Sequence, residues 1–316
     1  MTGLPPAGFQ EWLAGVFDQR VRDDIFGGRE PGRPDPVLVL LGGQPAAGKT
    51  RAQQAVAQAH GEVGLARITG DDLREYHPGY ARLALEDPLG MPAATAPVSG
   101  GLVALALAHA LERRYSVLLE GTFRDQAMVT ATAGRFARAG YRVEVVAVAI
   151  PAAVSRLSAE MRSLDAGWPA VGRWTPPEAH EAAVANSAGV VSALEAMAEV
   201  ASIQVRSRDA LLFENRRAPD GRWLSEPRAA HTLRAEQARP LGPAEAADWL
   251  DRYEQVFKLA LGRPGYLGEA TWPAYRLLQA DAEAMILASG RDGIAVGRFR
   301  ERQRQRAARL ASLAPG

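Results

Sequence analysis

Apolar positions along this 316-residue chain fall into two kinds of segment, short unbroken runs and longer stretches of helical periodicity. The purest run, 37–41, follows the Pro- and Gly-rich stretch 27–36, which breaks regular structure, and so reads as a buried parallel strand. Further strand-like runs lie at 66–69, 116–119, 142–150, 202–205 and 210–213. Helical patterns separate most of them, at about 49–60, 99–114, 125–139, 152–165 and 176–199, the last opening with Thr175 and Glu178 at capping-box spacing. Strands alternating with crossover helices specify an α/β fold, a mostly parallel sheet with helices on both faces.

Past Arg216 the pattern changes. Residues 217–241 are rich in Arg, Pro, Gly and Asp and read as a linker, and the remainder is helical. Trp249, Tyr253, Val256, Phe257 and Ala260 form one apolar stripe, and Tyr275, Leu278, Met285 and Ile286 form a second. Such stripes must be buried, against each other and the core or against a partner. Four units follow: a helical lead-in (1–36), an α/β domain (37–216), a linker (217–241) and an all-helical C-terminal extension (242–316). The last helix carries Arg298, Arg300, Arg302, Arg304, Arg306 and Arg309, with Arg291 just before it, against Asp292 and Glu301; this reads as a solvated face in an Arg-biased protein rather than as a tail for an anionic partner.

Composition narrows the function classes. With 47% hydrophobic and 23% charged residues the chain can bury a full core. It has no uncharged apolar run of membrane-spanning length, and its opening lacks a basic, apolar leader, so the expectation is a cytoplasmic protein with no membrane partner. There is no cysteine and the five histidines are scattered, which argues against zinc chemistry. The net charge of +1 provides no basic field for nucleic acid, which is not expected as a partner. Lys49 and Lys258 are the only lysines, so each stands out.

Lys49 lies in the most informative motif. Gly43, Gln44, Pro45, Ala46, Ala47, Gly48, Lys49 and Thr50 satisfy G-x-x-x-x-G-K-[ST] directly after the first strand and before a helix. Glycines at both ends let backbone N–H groups wrap a triphosphate, and the helix N-terminus points at the same anion. Lys49 is then placed for the β- and γ-phosphates and Thr50 for Mg²⁺. At the end of the second strand, Asp71 and Asp72 emerge where open α/β sheets bind ligands, either as a general base or as a helix cap. Glu120 ends the third strand, where a bare carboxylate needs a metal, a cation or a polar substrate.

These residues carry a family resemblance. LLGGQPAAGKT (40–50), ITGDDLREYHP (68–78), LLEGTFR (118–124), the AIP turn (149–151) and Arg173-Trp174-Thr175-Pro176 with His180 beyond it follow the order and spacing of the zeta toxins, over about 37–216. Ala46-Ala47 stand where the family commonly has Gly-Ser, and Gly100-Gly101 where it has bulkier polar residues. The resemblance implies a P-loop kinase of a toxin–antitoxin system, using ATP and Mg²⁺ to phosphorylate a hydroxyl of UDP-N-acetylglucosamine. It implies Asp71 as catalytic base, Lys49, Arg162 and Arg173 at the transferred phosphoryl, and Glu120, Thr122, Arg124 and Ser99 at the substrate. An epsilon-type antitoxin is the implied protein partner. A kinase of another acceptor (an antibiotic, a nucleoside or a nucleic-acid end) and a non-catalytic ATP-gated binding protein stay open at this point.

Overall fold

The computed structural model describes residues 8–61, 64–165 and 173–312. A helical lead-in, α1 (Phe9–Val16), a π-helical turn over Phe17–Val21 and α2 (Arg22–Phe26), precedes β1 (Val37–Gly43). There follow α3 (Lys49–His60), β2 (Ala66–Thr69), a 3₁₀ turn (Asp72–Tyr76), α4 (Tyr80–Glu86), α5 (Met91–Arg113), β3 (Val117–Glu120), α6 (Gln126–Arg138), β4 (Arg142–Val148), α7 (Ala152–Leu164) and α8 (Pro177–Ala196). The chain closes with β5 (Val200–Arg206), β6 (Leu211–Arg216), α9 (Ala229–Gln237), α10 (Pro243–Leu261), α11 (Trp272–Ala288) and α12 (Gly293–Ala311).

The six strands form one sheet in the order β2-β3-β1-β4-β5-β6, parallel except for the edge strand β6. This is the α/β architecture expected from the alternating pattern. β1 is central and buried at every residue, which is why it reads as an unbroken aliphatic run. The register sets Leu41 and Thr69 both opposite Glu120, so the carboxyl ends of β1, β2 and β3 finish level. Everything emerging from those three ends therefore converges on one edge.

The lead-in joins the main core: Leu13, Phe17, Val21, Ile25 and Phe26 cluster with Ile68, Val98 and Leu102. Gly101 has a specific purpose there. A Cβ at that position would lie 2.3 Å from Cδ2 of Leu13, so any larger residue would displace the Leu13 side chain that seats α1 on α5. Against the reading that the chain has no apolar run of membrane-spanning length, helix α5 is long and apolar enough to cross a membrane; its Val98, Leu102, Ala106 and Ala110 are buried in the main core.

The stretch 217–241, read from composition as a linker, is structured. Helix α9 lies within it, Ala229 and Leu233 are fully buried in the main core, and Trp223 donates its indole N–H to the Glu195 carbonyl at 3.0 Å. Its polar composition misleads because two apolar residues one turn apart, Ala229 and Leu233, suffice to seat a short helix. The expected capping box at the start of α8 is also absent: Pro176 occupies the cap position, and the Thr175 hydroxyl accepts a hydrogen bond from Arg162 at 3.1 Å.

The two apolar stripes of the extension are buried within the chain. Trp249, Tyr253, Phe257, Tyr275, Leu278, Ile286 and Phe299 pack with Leu157 and Leu164 of α7 and with Trp174. Trp249 donates to the Ala153 carbonyl at 3.0 Å, and Tyr266 to Glu160 at 3.0 Å. The arginines of α12 pair largely at home: Arg300 with Glu283, Arg302 and Arg306 with Glu254, and Arg304 with Glu301.

Candidate functional site

The phosphate-loop motif, residues 43–50, joins β1 to α3. Its shape is set by three backbone positions. At Gly43 a Cβ would meet the Val148 carbonyl oxygen at 2.4 Å, so glycine is what allows β1 to lie against β4 there. Gly48 takes φ 96° at the cap of α3, and Ala46 takes φ 59°, a left-handed conformation in which an alanine is strained. Ala46 therefore reproduces the turn for which the related glycine is free. Ala47 is buried, and its N–H closes a turn on the Gln44 carbonyl at 3.2 Å. Pro45 lies between these, buried, and Thr50 is exposed in the first turn of α3.

Lys49 donates to the carbonyls of Gly43 (3.1 Å) and Gln44 (3.3 Å), and its ammonium lies 3.8 Å from Glu120. Burial holds its pKa below the usual lysine value, against the opposing pull of Glu120 and Asp71. Glu120 is shifted the other way: burial pushes its carboxyl up, and Lys49 offsets part of that. Gln53, one turn beyond Lys49 on α3, donates to the second Glu120 oxygen and accepts from Arg67 of β2. Glu120 is thus aimed by Gln53 and Arg67, neither of which any motif in the sequence singled out.

Asp71 holds the cap position of the 3₁₀ turn, yet its side chain makes no capping hydrogen bond. It accepts from Arg74 Nε at 3.2 Å, and Arg173 Nη1 lies 3.6 Å from its other oxygen. Burial alone would raise its pKa, but Arg173, Arg74 and Lys49 together leave it below the usual aspartate value, hence ionised at neutral pH. Asp72 accepts from Arg173 at 3.0 Å. Arg74 is itself fixed by the Pro92 carbonyl (2.6 Å) and the Thr95 hydroxyl (2.8 Å).

Arg162, on α7, faces the same cleft. Burial and the neighbouring Arg173 lower its pKa, while Asp71 and Glu120 raise it. Its Nε is buried with no hydrogen-bond partner among the described residues. The intervening loop residues 166–172 lie outside the described residues. A guanidinium whose charge its neighbour disfavours, with an unused donor of its own, fits an anion between the two arginines.

The substrate-side expectations are distributed differently. Ser99 is buried and spends its hydroxyl on the Gly70 carbonyl, which braces the turn carrying Asp71. Thr122 is half-buried beside Phe123, which takes a left-handed φ of 51°. Gly42 makes room for the Phe123 ring, since a Cβ there would lie 2.1 Å from it. Arg124 is exposed at the mouth, and its carbonyl accepts from Asn186 at 2.9 Å. Arg208, from the β5–β6 turn and singled out by nothing in the sequence, donates to the Ala46 carbonyl (2.8 Å) and to Ser158 (2.9 Å).

A parallel sheet with this loop after its central strand, and with acidic and basic groups level at its carboxyl edge, defines a kinase-like P-loop protein. Within that class the zeta toxin model matches residues 22–218, and the chain belongs to the zeta toxin family. Toxin PezT of Streptococcus pneumoniae serotype 4 is 31% identical over 176 residues, covering 55% of this chain and 69% of that protein. Toxin zeta of Streptococcus pyogenes is 24% identical over 276 residues, 85% of this chain and 91% of its own. A match of that length runs past residue 218, so likeness to the family does not stop near 217 as the motifs alone suggested. Among solved structures, that of the PezAT chromosomal toxin–antitoxin system of Streptococcus pneumoniae superposes with a TM-score of 0.65 at 22% identity, over 81% of this chain and 99% of that one.

Proposed function

We propose that this protein is a kinase that transfers the γ-phosphate of ATP to a hydroxyl of a sugar nucleotide, with UDP-N-acetylglucosamine as acceptor. The observation that carries this reading is the cluster of Lys49, Asp71, Glu120, Arg162 and Arg173 at one sheet edge, with an ionised Asp71 and an unpartnered Arg162 donor. An ATP-gated binder needs the loop and Lys49 but has no use for a held carboxylate base.

Bound MgATP supplies the activated phosphoryl group, and the loop N–H groups of 43–50 fit its phosphates. Lys49 is within a short swing of that cradle, because its present partners are carbonyls of the loop itself. Thr50, exposed at the start of α3, offers the hydroxyl that would hold Mg²⁺. Asp71 takes the proton of the acceptor hydroxyl, and Arg74 keeps it oriented. Glu120, aimed by Gln53, positions the acceptor. Arg162 and Arg173 meet the charge that develops on the transferred group.

Because PezT acts within a toxin–antitoxin system, an antitoxin that covers this cleft is the proposed protein partner. The test is incubation of purified protein with γ-labelled ATP and a panel of sugar nucleotides, nucleosides and aminoglycosides. Label on UDP-N-acetylglucosamine is expected. Label on another acceptor alone would replace the substrate, and no transfer to any acceptor, with ATP bound, would replace the enzyme by the binder.

A further inference from the structure

Gln44, the second residue of the phosphate loop, is fully buried and its side chain does not face the phosphate cradle. Its amide N–H groups donate to the Ile150 carbonyl (2.8 Å) and to the Ser155 hydroxyl (3.1 Å). Its amide oxygen accepts from Nε2 of Gln237 at 2.8 Å, and the other hydrogen on that nitrogen goes to the Ser187 hydroxyl at 2.9 Å. The amide of Gln44 is therefore gripped from both sides, and both hydrogens of the Gln237 amide nitrogen are used.

The Ser155 grip is itself anchored. His180 Nε2 lies 3.0 Å from the Ser155 hydroxyl, and its Nδ1 lies 2.8 Å from Glu181. Arg156 clasps Glu181 through two bonds of 3.0 Å and pairs with Asp281 of α11. Glu181 is pulled down to about 2: burial works against this, and the His180 and Arg156 hydrogen bonds outweigh it. A carboxylate only accepts, so the Nδ1 hydrogen belongs to the His180–Glu181 bond.

The Gln237 grip comes from outside the stretch 22–218 that the family model matches. Helix α9 ends at Gln237 and is seated by Ala229 and Leu233 in the core, with the Ala229 N–H donating to Glu195 at 3.0 Å. We propose that Gln237 is a positioning residue for the phosphate loop, making α9 part of the nucleotide-binding apparatus. With Gln44 fixed, the Gln44 carbonyl that now receives Lys49 and the turn it closes with Ala47 keep the curvature that turns loop N–H groups inward. Without Gln237 the buried Gln44 oxygen has no partner, and the loop relaxes to find one. The proposal rests on the reading that this loop holds nucleotide.

The test compares Gln237→Ala with Trp249→Phe in the full chain. Trp249 also joins late chain to core through one hydrogen bond of 3.0 Å, but to α7 and not to the loop. Isothermal titration with a non-hydrolysable ATP analogue and Mg²⁺ separates affinity from the amount of folded protein. Gln237→Ala is expected to raise Kd about fivefold or more with stoichiometry near one, as the buried hydrogen bond to the loop is lost along with the one to Ser187. Trp249→Phe is expected to keep Kd within twofold, whatever its thermal midpoint. Hydrogen exchange over 44–50 in the nucleotide-free protein should speed up in Gln237→Ala and not in Trp249→Phe. Unchanged Kd and unchanged loop exchange in Gln237→Ala overturn the proposal, as does an equal rise in both variants. Lys49→Ala distinguishes the two levels: if it binds the analogue as wild type does, the nucleotide-site reading has failed, whereas a failure of Gln237→Ala alone leaves that reading standing.

Discussion

Arg173 Nη1 lies 3.6 Å from Asp71 Oδ2, bringing a residue four positions before α8 onto the turn that follows β2. The contact does two things at once. It keeps the carboxylate ionised, and it holds a guanidinium beside the place where a transferring phosphoryl would sit. Asp71 is still about 45% exposed, so a small acceptor can reach it.

Asp71→Asn is expected to bind MgATP as tightly as wild type and to lose roughly 10²–10⁴-fold in kcat, since an amide holds a hydroxyl but cannot take its proton. Asp72→Asn, which weakens the Arg173 contact, should fall far less. Single-turnover transfer rates decide the matter. If Asp71→Asn stays within a few-fold of wild type while Asp72→Asn collapses, the base is Asp72.

Removing the ammonium at position 49 should abolish measurable nucleotide affinity or turnover in a protein that still folds. The strand and helix that flank the loop do not depend on Lys49, whose ammonium has Gly43, Gln44 and Glu120 as its hydrogen-bond and ion-pair partners among the described residues. Calorimetry on folded Lys49→Ala would contradict the site if MgATP affinity and turnover were both intact.

Ala46→Gly is expected to stabilise the protein. A left-handed alanine costs about 1–2 kcal/mol, and the extra freedom of glycine in the unfolded chain returns about 0.4–1 kcal/mol of that. A net gain of roughly 0.5–1 kcal/mol in denaturant unfolding follows. A measured loss of stability would mean that the methyl group packs favourably enough to outweigh the strain.

Glu160 should make stability fall with rising pH. It is buried between α7 and the extension, where burial raises its pKa to about 7, partly offset by the hydrogen bond from Tyr266. The folded protein therefore keeps a proton that the unfolded chain gives up near the ordinary glutamate value of 4.5. Stability is highest below pH 4.5 as far as this group is concerned, declines between 4.5 and about 7, and is level above. The decline is on the order of 3 kcal/mol at most. Glu160→Gln should flatten that part of the profile in urea titrations at pH 5 and pH 8. An unchanged slope would place the proton elsewhere.

The P-loop and the polar ends of β2 and β3 were legible because each depends on local facts: a glycine pair around a helix start, and a charged residue closing an apolar strand. The parallel sheet was legible for a similar reason, since strands buried on both faces cannot alternate. What the chain order conceals is which strand lies beside which. Only the register that sets Leu41 and Thr69 opposite Glu120 brings Asp71 and Lys49 to the same carboxylate. The capping reading of Asp71 was open until Arg74 and Arg173 were seen to occupy its oxygens, because a cap and a base are spelled the same way in sequence.

Composition settled that residues 242–316 had to bury two apolar stripes, but not against what. The answer depends on the outer face of α7, whose Leu157 and Leu164 supply the complementary surface. The grip of Gln237 on Gln44 spans 193 positions and involves no charge, no periodicity and no motif. A single amide pair of that kind has no signature in one dimension, since its energy comes from exclusion of water around two groups that only the finished fold brings together.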